Sequence, residues 1–220
     1  MAALLSAAWA LGLLLVTSAS AAPWLADVDR QLDAARREAD AGRQEIARAY
    51  LETVAPGELL VAWAGEAPGS DKGLLPAVRT AVERWNRALA GTVRLVWTDD
   101  RSQAQVLISA AERLEEGARS FAGFSRWTRT VLRHPRQPGG RLSVDIRLAR
   151  LGPGGRELSD AERLHAALHE LGHALGLGDS ADPRSVMAPL GLGTPRTAPS
   201  DGDARAVREL HAAARRLLAP

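Results

Sequence analysis

The segment His169-Glu170-Leu171-Gly172-His173 places two imidazoles four residues apart with a carboxylate beside the first. On a helix, side chains at i and i+4 leave one face a turn apart, so both rings can reach a single metal ion. Glu170 then lies beside the metal's open position, where it can hold a water and take its proton. Gly176 follows three residues after His173, where a helix must stop and turn, and glycine tolerates the left-handed conformation needed there. Asp179 arrives three residues later, and the reversal of the chain can swing its carboxylate to the same ion. That makes three protein ligands and a fourth position for water, a set that suits zinc. Asp182 is a rival ligand, and the competing role for Asp179 is that of a turn or capping carboxylate. The absence of Cys excludes disulfides, thiolate metal sites and cysteine nucleophiles, leaving His, Asp and Glu as ligands and bases. His165, one turn before His169, reads first as an ordinary histidine and second as a partner to the ligand rings; His134 and His211 have weaker claims.

The elements that must position these residues can be traced from the pattern. Ser159 and Glu162 have the spacing of a capping box, which opens a helix running to about Gly176. Its Leu164, Leu168, Leu171 and Leu175 form an apolar stripe apart from the histidines, so the helix can bury its back while the His face looks into a cleft. Val78, Val82, Trp85 and Leu89 mark a second helix between Pro76 and Gly91, and a third opens at Ser200 with Val207, Leu210, Ala214 and Leu217 on one face. Leu59–Trp63, Val93–Trp97, Val106–Ile108 and Leu142–Leu148 read as strands, the last alternating cleanly between apolar and polar residues. Trp85 and Trp97 are core residues. From Leu25 to Tyr50 a 3-4 alternation of small and apolar residues predicts one long amphipathic helix, closed by Pro56-Gly57 and docked on the rest of the chain. The Arg-rich stretch Arg126–Arg141 reads as a solvated loop near the cleft edge, with a grip on acidic substrates as the alternative.

HELGHALGLGD, His169 through Asp179, resembles the metzincin zinc endopeptidases in the form HExxHxxGxxD found in their snapalysin-like branch. Ser185-Val186-Met187-Ala188-Pro189 is similar to the Met-containing turn beneath the zinc, at a spacing like that of the matrixin branch. The Trp85 helix, the strands, the stretch Phe121–Thr128 and the Ser200-Asp201 helix start also fall in matrixin order, so the resemblance covers about Gly57 to Pro220. It implies a zincin fold of the α/β (α+β) class: a mixed twisted sheet, an active-site helix and a smaller C-terminal helical part. It implies one catalytic Zn2+ on His169, His173 and Asp179, Glu170 as general base, and a protein or peptide substrate. The substrate would pair through its main chain with an edge strand between Arg126 and Arg133. Met187 would be a floor under the metal and no ligand. Asp179 stands where matrixins usually have His, no cysteine switch exists, and neither the His-rich pattern of a structural zinc nor a Ca2+ ligand set is assigned.

The domain reading is residues 1–21 as a signal peptide, 22–56 as the N-terminal helix (a pro-segment or docking helix) and 57–220 as the catalytic domain. The apolar run Ala2–Val16 followed by Ala19-Ser20-Ala21 supports the first, although no Lys or Arg precedes it and an uncleaved anchor is the alternative. A secreted or periplasmic protein with no membrane contact in its mature form follows. With 28 Lys+Arg, 26 Asp+Glu and a net charge of +2, and with both signs interspersed, nucleic acid is not expected as a partner. Two other classes compete with the peptidase: a zinc-stabilised binding module without turnover, against which Glu170 argues, and an interaction protein organised by the N-terminal helix.

Overall fold

A computed structural model describes residues 23–65, 73–116, 119–134, 136–152 and 155–219, so the expected signal segment 1–21 lies outside the described residues. The elements are α1 (Ala26–Asp40), α2 (Gln44–Glu52), β1 (Glu58–Trp63), α3 (Leu74–Ala88), β2 (Arg94–Trp97), β3 (Val106–Ala111), β4 (Leu114–Glu116), β5 (Arg119–Phe121), β6 (Gly123–Leu132), β7 (Gly139–Ala149), α4 (Asp160–Ala174) and α5 (Asp201–Leu217). Five strands form a mixed sheet in the order β2-β1-β3-β7-β6, and β4 pairs with β5 as a separate ribbon. β2, β1, β3 and β7 are parallel, and β6 closes the sheet as an antiparallel edge with Trp127 opposite Val144. Along β7, Leu142, Val144, Ile146 and Leu148 are buried while Ser143, Asp145 and Arg147 face water, the alternation of a sheet with one covered face. Trp85 is wholly buried in the core, and its Nε1 donates to the Leu168 carbonyl of α4 at 2.9 Å. Truncation of such a side chain costs about 3–5 kcal/mol, so this contact fixes α3 against α4.

The segment expected to be one helix from Leu25 to Tyr50 is instead a hairpin of α1 and α2. Gly42 has φ +73°, its N–H donates to the Ala39 carbonyl, and the Arg43 N–H donates to the Glu38 carbonyl. These two bonds are a Schellman stop, which reverses the chain where the apolar stripe alone would have run on. Val28, Leu32 and Ala35 of α1 pack with Leu51 and Val54 after the turn, and with Leu210 and Ala214 of α5. The hairpin also lies against β6 and β7. Asp27 accepts from Trp127 Nε1 and Arg129 Nε at 2.8 Å each, Arg133 pairs with Glu38, and the Gly140 N–H donates to Glu52 at 3.1 Å.

The stretch Arg126–Arg141, read from its charge as a solvated loop, holds most of β6 and the start of β7, and β6 is an edge strand where the family resemblance expected one, at 126–133. Residues of β6 are alternately half-buried and exposed, with Trp127 and Arg129 on the half-buried side, so the strand lacks the apolar alternation that reveals a covered face. Arg129 and Arg133 are taken up by acids of the N-terminal hairpin. Among the described residues no helix is long and apolar enough to cross a membrane.

Candidate metal centre

α4 opens on Ser159, whose hydroxyl accepts from the Glu162 N–H while the Glu162 carboxylate accepts from the Ser159 N–H. Arg156 also pairs with Glu162, and these donors hold its carboxyl down at about 2. The helix buries nearly every side chain of its middle, including Leu164, Leu168 and Leu171, and leaves His169 and His173 half-buried at one cleft. It ends in a second Schellman motif. Gly176 has φ +92°, its N–H donates to the His173 carbonyl, and the Leu177 N–H donates to the Gly172 carbonyl at 3.0 Å. The turn carries the chain back under the histidines, and the Ser180 N–H then donates to the Met187 carbonyl at 2.8 Å.

His169, His173 and Asp179 come together. Their Nε2 atoms are 3.1 Å apart, and Asp179 Oδ1 lies 3.3 Å from His169 Nε2 and 3.6 Å from His173 Nε2. Each Nδ1 faces a backbone carbonyl, Val186 O at 3.0 Å for His169 and Leu177 O at 2.8 Å for His173. A carbonyl only accepts, so both Nδ1 atoms donate and both Nε2 atoms turn lone pairs toward the same point. Facing lone pairs repel unless a cation lies between them. Tetrahedral zinc with bonds of about 2.0–2.1 Å spaces its ligand atoms about 3.3 Å apart, so these side chains fit the ion. Among the protein groups alone, burial disfavours charge on both rings. At His169 the Asp179 and Glu170 carboxylates and the Val186 carbonyl outweigh burial and raise its pKa; His173 is lowered, by burial first and then by charge on His169. Asp179 is lowered, chiefly because His169, once protonated on both nitrogens, donates from Nε2 to its carboxylate. Protons therefore compete with a metal for this triad.

Asp182 takes a different part: its carboxylate accepts from the Arg184 guanidinium and backbone N–H, at 2.9 Å each. Among the described residues His169, His173 and Asp179 form the only group of three such side chains within ligating range, so no residues are assigned to Ca2+. Glu170 is buried, and burial is the main cause of its raised pKa; His169 and a hydrogen bond from Ser125 pull the other way. Gly123, at the start of β6, makes room for it, since a Cβ there would lie 2.7 Å from Glu170 Cγ. Met187 is buried beneath the helix, where a Cβ on Gly172 would overlap its sulfur.

Several supporting residues were not evident in sequence. Asp203, buried at the first turn of α5, accepts from the Ser185 hydroxyl and the Val186 N–H, and so ties the methionine turn to the helix cap. The spacing Ser200-x-x-Asp203 was its available signal. His165, which the sequence did single out, first as an ordinary histidine and second as a partner to the ligand rings, is buried, with Nε2 donating to the Ala188 carbonyl at 3.0 Å and Nδ1 accepting from the Arg196 N–H at 2.8 Å. Trp127, whose ring centre lies 6.0 Å from that of His173, and Leu25 had no local signal. Both line a cleft of about 690 Å3 that contains the triad and Glu170. The β6 edge borders this cleft at residues 123–125 and at Trp127, so most of the bordering stretch lies before the expected 126–133.

Residues 70–212 match the family model described as Matrixin. A 61-residue stretch is 46% identical to the "Probable matrix metalloproteinase 095L" of Invertebrate iridescent virus 3, covering 26% of this chain and 17% of that protein. The chain thus spans less than a fifth of the length of this relative. The family match covers well over half of the chain and includes the triad, Glu170 and the methionine turn; the chain belongs to the matrixin family.

Proposed function

We propose that the protein is a secreted zinc-dependent endopeptidase that hydrolyses peptide bonds in proteins. The observation that carries the reading is the convergence of His169 Nε2, His173 Nε2 and Asp179 Oδ1 beside buried Glu170 in an open cleft. When bound by these three residues, zinc supplies Lewis-acid polarisation of a carbonyl and acidification of a water. The Val186 and Leu177 carbonyls keep both imidazoles in the ligating tautomer. Glu170, its pKa raised by burial, takes the proton of the attacking water on its carboxylate and delivers it to the departing amide nitrogen. The outer edge of β6, unpaired among the described residues, offers backbone groups to an extended substrate, which can add as a further strand next to the cleft. Glu170 ligates nothing in this arrangement, so a site kept only for structural zinc would not need it.

The test is elemental analysis for zinc, followed by digestion of casein or gelatin. One zinc per chain is expected. Phenanthroline abolishes cleavage and stoichiometric zinc restores it. Cleavage by protein shown to be metal-free removes the reading. Export is supported by the Ala2–Val16 run and the Ala19-Ser20-Ala21 site, and is checked by the N-terminal sequence of protein recovered outside the producing cell.

A further inference from the structure

Asp179 is the ligand with the least support of its own, because its side chain is 72% exposed and it lies beyond the end of α4. Its backbone is held on both sides. After it, the Ser180 N–H donates to Met187; before it, the Gly178 N–H donates to the Pro23 carbonyl at 2.9 Å. The Leu25 N–H donates to the Gly176 carbonyl at 3.0 Å, so Trp24 and Leu177 face each other in an antiparallel bridge. The Leu177 carbonyl is the same group that orients His173. Residues 176–178 are therefore shared between the N-terminal arm on one side and two metal ligands on the other.

The arm is anchored where it makes this contact. Trp24 Nε1 donates to the Ala206 carbonyl of α5 at 3.1 Å, and Asp27 is tied to Trp127 and Arg129 of β6. Gly178 permits the approach, since a Cβ there would lie 3.3 Å from the Trp24 carbonyl oxygen. The whole arm precedes residues 70–212, the part that matches the matrixin family.

We infer that Pro23–Leu25 is a positioning element of the metal centre: its backbone bonds hold the 176–179 loop so that Asp179 and His173 meet the ion together. The inference rests on the metalloprotease reading. It also makes Pro23–Leu25 a working part of the metal centre rather than a segment whose removal activates it.

Leu25 allows a selective test. Its φ of −61° and ψ of 140° suit proline, and Trp24, extended in the bridge, suits the position before one. Leu25→Pro replaces the N–H that bonds Gly176 with the ring Cδ, which cannot donate and presses on the Gly176 carbonyl, and it keeps three of the four side-chain carbons. Leu25→Ala keeps the N–H and loses more bulk. Zinc affinity of the full chain is measured by competition with a chromogenic chelator. Leu25→Pro is expected to weaken it at least about tenfold, the scale for groups that orient metal ligands, and Leu25→Ala by no more than about threefold. A packing role predicts the opposite order, and that order overturns the inference, as does unaltered affinity in Leu25→Pro. Should Leu25→Pro not fold, Gly178→Ala presses the arm away from the loop instead; a severalfold loss of zinc affinity supports the inference and an unaltered affinity overturns it. If the unaltered chain binds no zinc, the metalloprotease reading falls and takes the inference with it. If it binds one zinc and the variants match it, the inference alone falls.

Discussion

Gly172→Ala tests how tightly the floor of the centre is packed. An ideal Cβ at this position overlaps the Met187 sulfur, and it lies 3.1 Å from Met187 Cε and 3.4 Å from Trp85 Cζ2. Carbon atoms in contact prefer about 3.5–4.0 Å, so the sulfur must retreat by roughly 1 Å or more. Met187 is 2% exposed and Trp85 wholly buried, so the space for that retreat has to come from the core. Helix propensity works the other way, since Ala in a helix interior is worth about 1 kcal/mol over Gly. Overpacking costs about 1–3 kcal/mol, and an overlap of this depth belongs at the upper end. The net is a loss of about 1–2 kcal/mol, or a Tm lower by about 2–8 °C for a chain of this size. Metal binding should weaken as well, because the turn that must shift supplies the Val186 carbonyl to His169 and the Met187 carbonyl to Ser180, next to Asp179. The assay is thermal unfolding with and without zinc, then chelator competition, with Met187→Ala and the double variant completing a cycle. In the double variant the methyl group enters the space the methionine left, so its loss should be less than the sum of the two single losses. A Gly172→Ala protein that melts as the unaltered one does and binds zinc equally would refute the reasoning, since the methionine would then have room to move.

Glu170→Gln should keep the fold and one zinc per chain while cutting peptide hydrolysis by at least about a hundredfold; unchanged kcat/KM removes the general base. Asp179→Ala should lower zinc content after dialysis steeply, because the proposed site loses one of its three ligands and its charge, whereas Asp182→Ala should retain the metal. The opposite pattern would mean that Asp182 is the ligand. His211, buried in α5, has its pKa lowered to about 4 by burial and then by Arg215. Unfolding restores an ordinary pKa of 6.5, so the unfolded chain binds more protons and stability falls as pH drops from 6.5 toward 4. The loss attributable to this residue is about 3 kcal/mol, and His211→Leu should flatten that part of the curve in denaturant titrations run with chelator. An identical pH dependence in the two proteins would contradict it.

What the sequence by itself determined was local. The capping box of Ser159 and Glu162, the one-turn spacing of His169 and His173, and the left-handed stop at Gly176 depend on partners three to five residues away, and the structure shows each of them. The apolar faces of β7 and α3 were legible for the same reason, since burial on one side imposes a period of 2 or 3.6 on the residues themselves. Where the reading went wrong, the deciding contacts were distant. One glycine in a helical pattern costs only about 1 kcal/mol, so nothing local required a break at Gly42; packing of the folded hairpin on α5 and the sheet favours it. β6 carries Arg and Thr where a covered strand would carry Val and Ile, and it holds its place through β7 and through Asp27, about a hundred residues away. Which of Asp179 and Asp182 lies beside the two imidazoles turned on which carboxylate Arg184 engages and where the loop is held, in part by Pro23 and Met187. Residue types and short spacings reveal which groups can do chemistry. Which of them meet is decided by contacts between segments far apart in the chain, such as Trp24 with Ala206 at a separation of 182 residues, and such contacts leave no period in the sequence.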